Sequence, residues 1–506
     1  MGLEAVEVGW LSILPPIIAI VLALITKEVF SSLLAGIVSG MIIYSLKTSQ
    51  DITVAVRYVF DMMSAQISSH SYMILFLALL GSVVVVVTKA GGSRAYGQWA
   101  TTKLKSPLSA KLATMILGIV IFIDDYFNCL TVGTVMRPIT DKYKIAREKL
   151  AYIIDATAAP ICIIAPISSW AVAVSSEIEG ASGLNVFVKT IPYNLYAMLT
   201  IIMVLVICLT NFDFGPMKKA VEEAKNKSFD DEEKEDENTN IKLPNKGKVF
   251  DLIIPILALI IGSIVGMAYV GGFFSEGVPF TEAIGADSTA GLTLGAFAAL
   301  MTAFVLYIPR KLMSFKEFME GTTEGVKYMV SAIMILVFAW TLSGVCKEML
   351  STGPFVSSIV TNSKISFAIL PAIIFVVAAF LSFSMGTAWG TFGILIPIVV
   401  PICKADGGDP YLVISLAATL AGSVYGDHCS PISDTTILSS TGARCEHIRH
   451  VETQIPYATL VAVICFIGYL IGGITLNPWI TLVASMIILL AALSVINMVQ
   501  KKNKKS

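Results

Sequence analysis

GDHCSPISDTTILSS, residues 426–440, separates two apolar runs, YLVISLAATLAGSVY before it and YATLVAVICFIGYLIGGITL after it. It places two aspartates, a histidine, a proline and several hydroxyls where a transmembrane helix would otherwise continue. A proline removes a backbone donor and breaks the hydrogen-bond ladder of the helix around it. Unwound backbone at membrane depth is tolerated only where it lines a protein cavity or a water path. The stretch therefore predicts a broken helix with a polar interior.

The composition indicates that this broken helix belongs to a membrane protein. Of the 506 residues, 56% are apolar and 14% are charged, and the mean hydropathy is +0.80. A soluble domain would carry about 25% charged residues. The N-terminal MGLEAVEVGW has no basic region and no small-residue cleavage site, so we expect the first apolar run to be retained as a span. We predict an all-α polytopic membrane protein that contacts the lipid bilayer and binds no nucleic acid.

Hydropathy predicts about eleven transmembrane helices plus two re-entrant hairpins. The hairpins lie between Lys111 and Arg137 and between Ile365 and Cys403. The first segment is too short for two spans of about 20 residues, and a single span would leave strongly basic loops on both faces, against the positive-inside bias. The predicted spans lie near 10–26, 29–45, 71–88, 150–174, 191–210, 249–270, 288–308, 328–345, 411–436, 456–474 and 478–498.

The chain divides into two transmembrane repeats around a charged linker. Residues 1–210 form the first repeat, 211–248 a cytoplasmic linker, 249–474 the second repeat, and 475–506 a final helix and a basic cytoplasmic tail. With the N-terminus outside and the C-terminus cytoplasmic, the basic loops fall inside, as the positive-inside bias requires. The two repeats then have inverted topology, and APISSW in the first parallels SPISDT in the second. Broken helices in matching positions of inverted repeats indicate a secondary transporter's binding site.

Four aspartates at membrane depth are the main candidates for ion and proton binding. Asp427 and Asp434 lie in the broken helix, and Asp124 and Asp125 lie in FIDDYFNC of the first hairpin. An intramembrane carboxylate costs at least about 2.5–3.5 kcal/mol, so it indicates function by default. The alternative is that one of each pair caps a half-helix or lies near the interface. Asp155 follows soon after Lys149, and a shallow structural ion pair would explain it as well as function does.

Further oxygen and nitrogen groups flank these carboxylates. His428 is a candidate proton relay, because imidazole titrates near neutral pH; the alternative is a neutral histidine bonded to a carbonyl. The uncharged candidates for ion binding are Asn128, Ser168, Ser169, Ser384, Thr387, Thr391, Ser433, Thr435 and Thr436. These groups could instead satisfy backbone that is freed at the breaks and hairpin tips. For sodium itself we select Asp434, Ser433, Asn128 and Ser168.

Three blocks of the sequence resemble the NhaC-type sodium/proton antiporters of bacteria. They are FIDDYFNCLTVGTVMRPITDKYKIAREKLAYIIDATAAP, MGTAWGTFGILIPI and GDHCSPISDTTILSSTGA. The resemblance covers essentially the whole chain and implies a relation to the ion-transporter superfamily. Its members use two re-entrant hairpins and two broken helices around a sodium site. It implies ligands within Asp124–Asn128, Ser168–Ser169, Ser384–Thr391 and Ser430–Thr436.

We therefore predict a secondary active transporter that exchanges sodium for protons across the bacterial plasma membrane. The alternative is a sodium- or proton-coupled transporter of a small organic acid or amino acid, since similar sequences include such carriers. The predicted hairpins and breaks contain no basic residue to pair with a substrate carboxylate, which favours a bare cation. HExxH, GxSxG and nucleotide-loop motifs are missing, so we expect neither an enzyme nor a pump. We expect no cofactor besides the transported Na⁺ and H⁺, and the sequence allows a homodimer.

Overall fold

The structure is a computed structural model that consists of helices and connecting turns. It describes residues 5–26, 28–49, 51–92, 95, 103–178, 183–210, 212–226, 247–275, 278, 280, 283, 288–352, 355, 366–404, 408–431 and 433–503. Every regular element in these ranges is helical, which confirms the all-α class. Most of the predicted charged linker, residues 227–246, lies outside the described residues.

The α-helices of the described ranges are numbered in chain order. They are α1 (Leu14–Thr26), α2 (Val29–Thr48), α3 (Ile52–Ser69), α4 (Ser71–Lys89), α5 (Pro107–Val120), α6 (Asp125–Lys142), α7 (Arg147–Ala156), α8 (Ala159–Cys162), α9 (Ser169–Ser176), α10 (Gly183–Thr190), α11 (Leu195–Thr210), α12 (Gly215–Asn226), α13 (Phe250–Val270), α14 (Ser288–Tyr307), α15 (Phe315–Gly344), α16 (Leu370–Met385), α17 (Ala388–Cys403), α18 (Leu412–Cys429), α19 (Asp434–Ala443), α20 (His447–Thr475) and α21 (Pro478–Asn503).

Nine helical segments in the described residues are long and apolar enough to cross a membrane. Eight of them coincide with predicted spans, and the ninth, Phe367–Met385, contains the first limb of the second predicted hairpin. The predicted spans near 150–174 and 411–436 are interrupted helices, so neither is a single spanning helix. The total number of crossings stays a prediction.

Helix α3 was not predicted from the sequence. Its polar residues include Arg57 and Asp61, which lower its hydropathy below that of a span. Ala55, Val59 and Met62 nevertheless form a buried stripe along one face. An amphipathic stripe of this kind, with a period near 3.6 residues, is what a helix needs to pack on a neighbour.

Both predicted hairpin segments form two helices joined by a short turn. Ser106 caps α5 with a capping box to Ser109, and residues 121–124 connect α5 to α6. The turn between α16 and α17 is Gly386–Thr387, where Gly386 has φ +68°, a value that glycine adopts without a Cβ penalty. Thr387 then caps α17 by accepting from the Gly390 N–H.

The two Pro-Ile-Ser motifs interrupt their helices, as predicted. In the first half the chain runs as three pieces, α7, α8 and α9, with non-helical backbone at 157–158 and 163–168. In the second half, α18 ends at Cys429 and α19 starts at Asp434. Each new half-helix begins with a serine cap: Ser168 accepts from the Ala171 N–H and Ser433 from the Thr436 N–H.

Close packing brings the second broken helix against the first hairpin. Helix α19 lies against α6 and α7, and a Cβ on Gly133 of α6 would come within 2.6 Å of the Gly442 backbone of α19. The two helices therefore touch through backbone. Conversely, Trp170 of α9 packs on Trp389 and Phe392 of α17, with ring centroids 5.5 Å apart in both pairs. Each broken helix thus contacts the hairpin from the other half of the chain.

Candidate functional site

Asp124 and Asp125 lie where the first hairpin turns, and both are fully buried. The Ser169 hydroxyl, at the start of half-helix α9, donates to Asp124 Oδ2 at 3.3 Å. Asp125 is the first residue of α6. Neither of its carboxylate oxygens has a hydrogen-bond partner among the described residues, although the indole of Trp170 lies beside it. The turn thus presents a buried carboxylate that faces the Trp170 indole and the first N–H groups of α6 but makes no well-formed hydrogen bond with a described residue.

Asn128 lies three residues after Asp125, on the same face of α6. Its amide nitrogen donates to the carbonyls of Gly118, Ile121 and Thr157 at 2.7, 2.9 and 3.0 Å. This ties the hairpin turn to the first break of the interrupted helix. Its carbonyl oxygen is buried and, within the described ranges, has no donor. Asn128 therefore adds one more unsatisfied oxygen near Asp125.

Asp427 is the third buried acid of the candidate site. The Thr435 hydroxyl donates to its Oδ2 at 2.7 Å, and the Ser433 hydroxyl lies 3.2 Å from that of Thr435. The Thr436 hydroxyl lies 3.5 Å from the Asp427 carbonyl oxygen. Hydroxyl groups at the start of α19 therefore contact Asp427 at the C-terminal end of α18.

Asp434, the first residue of α19, is exposed, unlike the other three predicted acids. The Tyr126 hydroxyl donates to its Oδ2 over 3.4 Å. Tyr126 also interacts electrostatically with Asp125 and Asp427, and its ring packs edge-on against Tyr328 of α15. Tyr126 thus connects the two pairs of acids that the sequence predicted. The sequence offered one signal for it, its position directly after the paired aspartates.

Asp155 departs from the sequence expectation of a shallow pair with Lys149. Lys149 binds Asp213 instead, at 2.8 Å. Asp155 is fully buried and accepts from the Gln454 amide at 2.6 Å and from the hydroxyls of Thr436 and Ser439 at 3.3 and 3.2 Å. The expectation failed because Asp155 points away from Lys149, into the region where α7, α19 and α20 meet.

His428, the predicted proton relay, is buried next to this region. Its Nδ1 lies 3.1 Å from the Tyr196 hydroxyl, and its carbonyl accepts from Gln454 at 2.7 Å. Its Nε2 has no partner in the part of the chain that the structure describes.

Four predicted hydroxyls bond to nearby backbone rather than to the aspartates. Ser168 donates to the Cys162 and Ala165 carbonyls while it caps α9. Ser384 donates to Phe380, and Thr391 to Thr387, one turn earlier in each helix. Thr387 is the cap of α17. In the described residues, the second hairpin reaches the site through Trp389 and Phe392, which contact Trp170. The predicted ligand roles of these hydroxyls stay predictions.

Ion pairing distinguishes the aspartates of the candidate site from aspartates that have a structural role. Asp251 pairs with Arg310, and Asp213 pairs with Lys149. Asp125, Asp427 and Asp434 pair with no lysine or arginine in the described ranges. The described residues contain no group of three or more acidic, histidine or cysteine side chains placed to hold a metal ion. Carboxylates that lack a lysine or arginine partner in these ranges are nevertheless the acids on which a cation from outside could bind.

The family model described as "Na+/H+ antiporter family" matches residues 171–474. The chain belongs to this family. An uncharacterized protein of Haemophilus influenzae is 39% identical to this chain, and the match covers 92% of this chain and 91% of that protein. The malate-2H(+)/Na(+)-lactate antiporter of Bacillus subtilis is 24% identical over 36% of this chain and 43% of that protein. The YdaH transporter of Alcanivorax borkumensis has a similar fold, with a TM-score of 0.55 and 12% identity over 83% of this chain and 88% of the solved one.

Membership in the Na⁺/H⁺ antiporter family confirms the predicted class. This antiporter-family chain is a multi-pass membrane protein and a secondary transporter, and its family contains transporters rather than enzymes. The match to the Bacillus antiporter covers less than half of that protein's length.

Proposed function

We propose that this antiporter-family member exchanges sodium for protons across the bacterial plasma membrane. The observation that carries the proposal is the set of unsatisfied oxygens at the first hairpin turn, both carboxylate oxygens of Asp125 and the amide oxygen of Asn128. Buried polar atoms without a partner are rare and call for an explanation such as an ion or a water. A hard cation such as sodium prefers oxygen ligands of this kind.

The geometry around the turn supports the same proposal. Half-helices and interrupted backbone at the site of a transporter supply free carbonyls and helix ends to coupling ions. Here α9 starts beside Asp124, and α19 starts with Asp434, which Tyr126 connects to the Asp125 turn. Sodium and protons would compete for the carboxylates, because a protonated carboxylate has lost the charge that binds a cation. No further cofactor is needed for such an exchange.

The proposal includes the predicted membrane arrangement. The N-terminus lies outside, the C-terminus is cytoplasmic, and the two halves are inverted repeats. The structure supports it in one respect: a helix pair followed by an interrupted helix occurs in each half, as α5–α9 and as α16–α19.

A second candidate function is sodium- or proton-coupled transport of a small organic acid or amino acid. The Trp170 and Trp389 indole nitrogens are buried donors without a partner among described residues, in adjacent rings. Such donors could hold a substrate carboxylate. The Bacillus relative named as a malate and lactate antiporter favours this candidate as well.

Purified protein in sealed vesicles separates the two functions. For sodium/proton exchange, adding sodium alone should dissipate an imposed proton gradient, with no organic solute present. The apparent sodium affinity should weaken as the pH falls, since protons occupy the same carboxylates. Proton movement that requires malate, lactate or an amino acid would establish the second candidate. A sodium affinity that is constant across the neutral pH range would contradict exchange at a shared site.

A further inference from the structure

A tyrosine hydroxyl near the hairpin turn is buried without a bonding partner. It belongs to Tyr328, which lies near the middle of α15, a helix that is long and apolar enough to span the membrane. The hydroxyl oxygen is inaccessible to solvent and has no hydrogen-bond partner among the described residues. Buried polar atoms without a partner are rare in native proteins and call for an explanation such as an ion or a water. The described protein groups therefore leave this hydroxyl available to a ligand.

Tyr328 lies among the acids of the candidate site. Its phenol interacts electrostatically with Asp124, Asp125 and Asp434. Its ring packs edge-on against Tyr126, with ring centroids 6.1 Å apart. The Tyr126 hydroxyl in turn donates to Asp434 Oδ2 at 3.4 Å. Tyr328 is thus within electrostatic range of both the fully buried acids of the turn and the exposed acid of α19.

Helix α15 carries Tyr328 on a rigid support. The helix packs on α2, α3 and α4, and on α17 of the second hairpin. Gly325, one turn before Tyr328, lies against the Gly81 backbone of α4 with no room for a Cβ. The Ser82 hydroxyl of α4 donates to the Thr322 carbonyl at 3.0 Å. A binding group needs support of this kind to keep its geometry.

We propose that Tyr328 is a further sodium-contacting residue of the exchange site, and that its hydroxyl oxygen binds the ion between the exposed Asp434 and the buried Asp125. This rests on the proposed function and adds a neutral ligand to the proposed acids. A tyrosine hydroxyl has one hydrogen to donate and an oxygen that can also accept. The hydrogen can bond to a carboxylate while the oxygen contacts a hard cation, which prefers oxygen ligands.

The neutral hydroxyl differs from the carboxylates in its response to pH. A phenol keeps its proton throughout the neutral pH range. Tyr328 therefore strengthens sodium binding without taking up the exchanged proton, and the competition between sodium and protons stays on the acids. The contribution of Tyr328 to the sodium affinity should be the same factor at every neutral pH.

Binding of radiolabelled sodium to the purified protein tests the proposal without transport. The label is displaced with unlabelled sodium chloride, and choline chloride keeps the ionic strength constant. Tyr328→Phe keeps the ring and its contact with Tyr126 but removes the hydroxyl. The sodium affinity should fall about 2- to 10-fold, the effect of one lost neutral contact, and by the same factor at each pH. The unfolding temperature should not fall, because the removed hydroxyl has no described partner.

Tyr469→Phe is the matched control. Tyr469 is also a buried tyrosine in a spanning helix, α20, but its hydroxyl donates to the carbonyls of Tyr193 and Ala417 at 3.1 and 3.2 Å. Removing this hydroxyl should lower the unfolding temperature and leave the sodium affinity unchanged. A purely structural Tyr328 would behave in the same way as Tyr469.

Exchange in sealed vesicles separates this inference from the proposed function. Tyr328→Phe should raise the sodium concentration that gives half the maximal rate, while the maximal rate itself stays unchanged. A Tyr328→Phe protein with the original sodium affinity overturns the Tyr328 contact, even where the unaltered protein exchanges sodium for protons normally. So does an affinity loss that varies with pH.

Absence of exchange in the unaltered protein contradicts the proposed function, and sodium binding alone then decides the role of Tyr328. Sodium binding that Tyr328→Phe weakens supports the contact. A protein that binds no sodium overturns it.

Discussion

At the scale of single residues, the notable feature of the hairpin turn is the buried Asp125 carboxylate, whose oxygens have no hydrogen-bond partner among the described residues. A buried ion without a partner is far more costly than a buried amide, so a protein keeps one only when something else compensates it. The pairs Asp251–Arg310 and Asp213–Lys149 show how the same chain neutralises its structural acids. Asp125 has no such pair within the described ranges, and the proposed transported cation would compensate it in every cycle.

Asp125→Asn and Asp434→Asn should each abolish most sodium/proton exchange. Asparagine keeps the size and hydrogen-bonding capacity of the side chain but loses its charge. Losing a charged interaction of about 1.5–3 kcal/mol corresponds to about a 10- to 150-fold weaker response to sodium. Vesicle assays over a range of sodium concentrations would measure this change in the apparent sodium affinity.

Asp61→Asn is the control for these two variants, because the ion pair of Asp61 among the described residues is with the exposed Arg57 on the same helix. It should transport at the original rate. Normal exchange by Asp434→Asn would remove that residue from the proposed site, and normal exchange by Asp125→Asn would remove the observation on which the proposed function rests.

The sequence predicted individual acids better than their surroundings. Asp124, Asp125 and Asp427 could be predicted because each is a charge inside an apolar run, which is a local property. The role of Asp155 depends on Thr436 and Gln454, which lie 281 and 299 residues further along the chain. No local pattern shows that these side chains meet. Tyr328 was missed for the same reason, since it lies in α15, far along the chain from the paired aspartates.

At the scale of elements, the breaks follow from proline and the caps follow from serine and threonine, so the sequence predicted both. The additional piece α8 was not predicted, although Pro160 lies in its first turn and cannot donate to the carbonyl of Ala156, where α7 ends. The Thr157 carbonyl, in the interruption at 157–158, accepts from Asn128, and the Thr157 hydroxyl bonds back to Ile153. The interruption is therefore stabilised by tertiary contacts with the hairpin.

Gly133→Ala should impair transport more than it impairs folding. The added Cβ would lie 2.6 Å from the Gly442 backbone, so α6 and α19 would have to separate. Overpacking of this kind costs about 1–3 kcal/mol, and the same shift would change the relation between the Asp125 turn and Asp434. Transport rates and thermal unfolding of the same preparation would measure both effects.

The control is Gly321→Ala on α15, where the added Cβ meets only side-chain atoms, the nearest 3.3 Å away. Gly321→Ala should leave the transport rate and the thermal unfolding temperature almost unchanged. A Gly133→Ala protein with unchanged transport would show that the crossing of α6 and α19 has no part in the cycle.

At the scale of the whole molecule, buried charge ties distant segments together. Lys149 of α7 binds both carboxylate oxygens of Asp213, and the Tyr457 hydroxyl of α20 donates to the same group at 3.1 Å. One buried acid thus connects the first broken helix, the segment after α11, and α20.

Asp213→Ala should destabilise the protein by about 3–5 kcal/mol, because it leaves the Lys149 ammonium buried without a counter-charge. Glu320→Gln breaks the exposed Lys316–Glu320 pair and should cost about 0–1 kcal/mol. Unfolding in detergent would compare the two. An equal effect of both changes would show that water reaches Lys149.

Membrane orientation can be tested by labelling single introduced cysteines from either side. Cys445, the one native cysteine that is partly exposed, is first replaced by serine. Thr239→Cys in the linker and Ser506→Cys in the tail should react only from the cytoplasm, and Ser182→Cys only from outside. Labelling of the linker from outside would contradict the inverted repeats.

The backbone contact between Gly133 and Gly442 has a consequence for ionic size. Side chains change rotamer within nanoseconds, whereas a crossing of two backbones opens only when a whole helix moves. Helix α6 starts with Asp125 and α19 starts with Asp434, so their separation is set by a rigid crossing rather than by adaptable side chains. A site bounded in this way cannot widen at low cost for a larger ion. Discrimination between sodium and potassium would then follow from helix spacing, and Gly133→Ala would relax it.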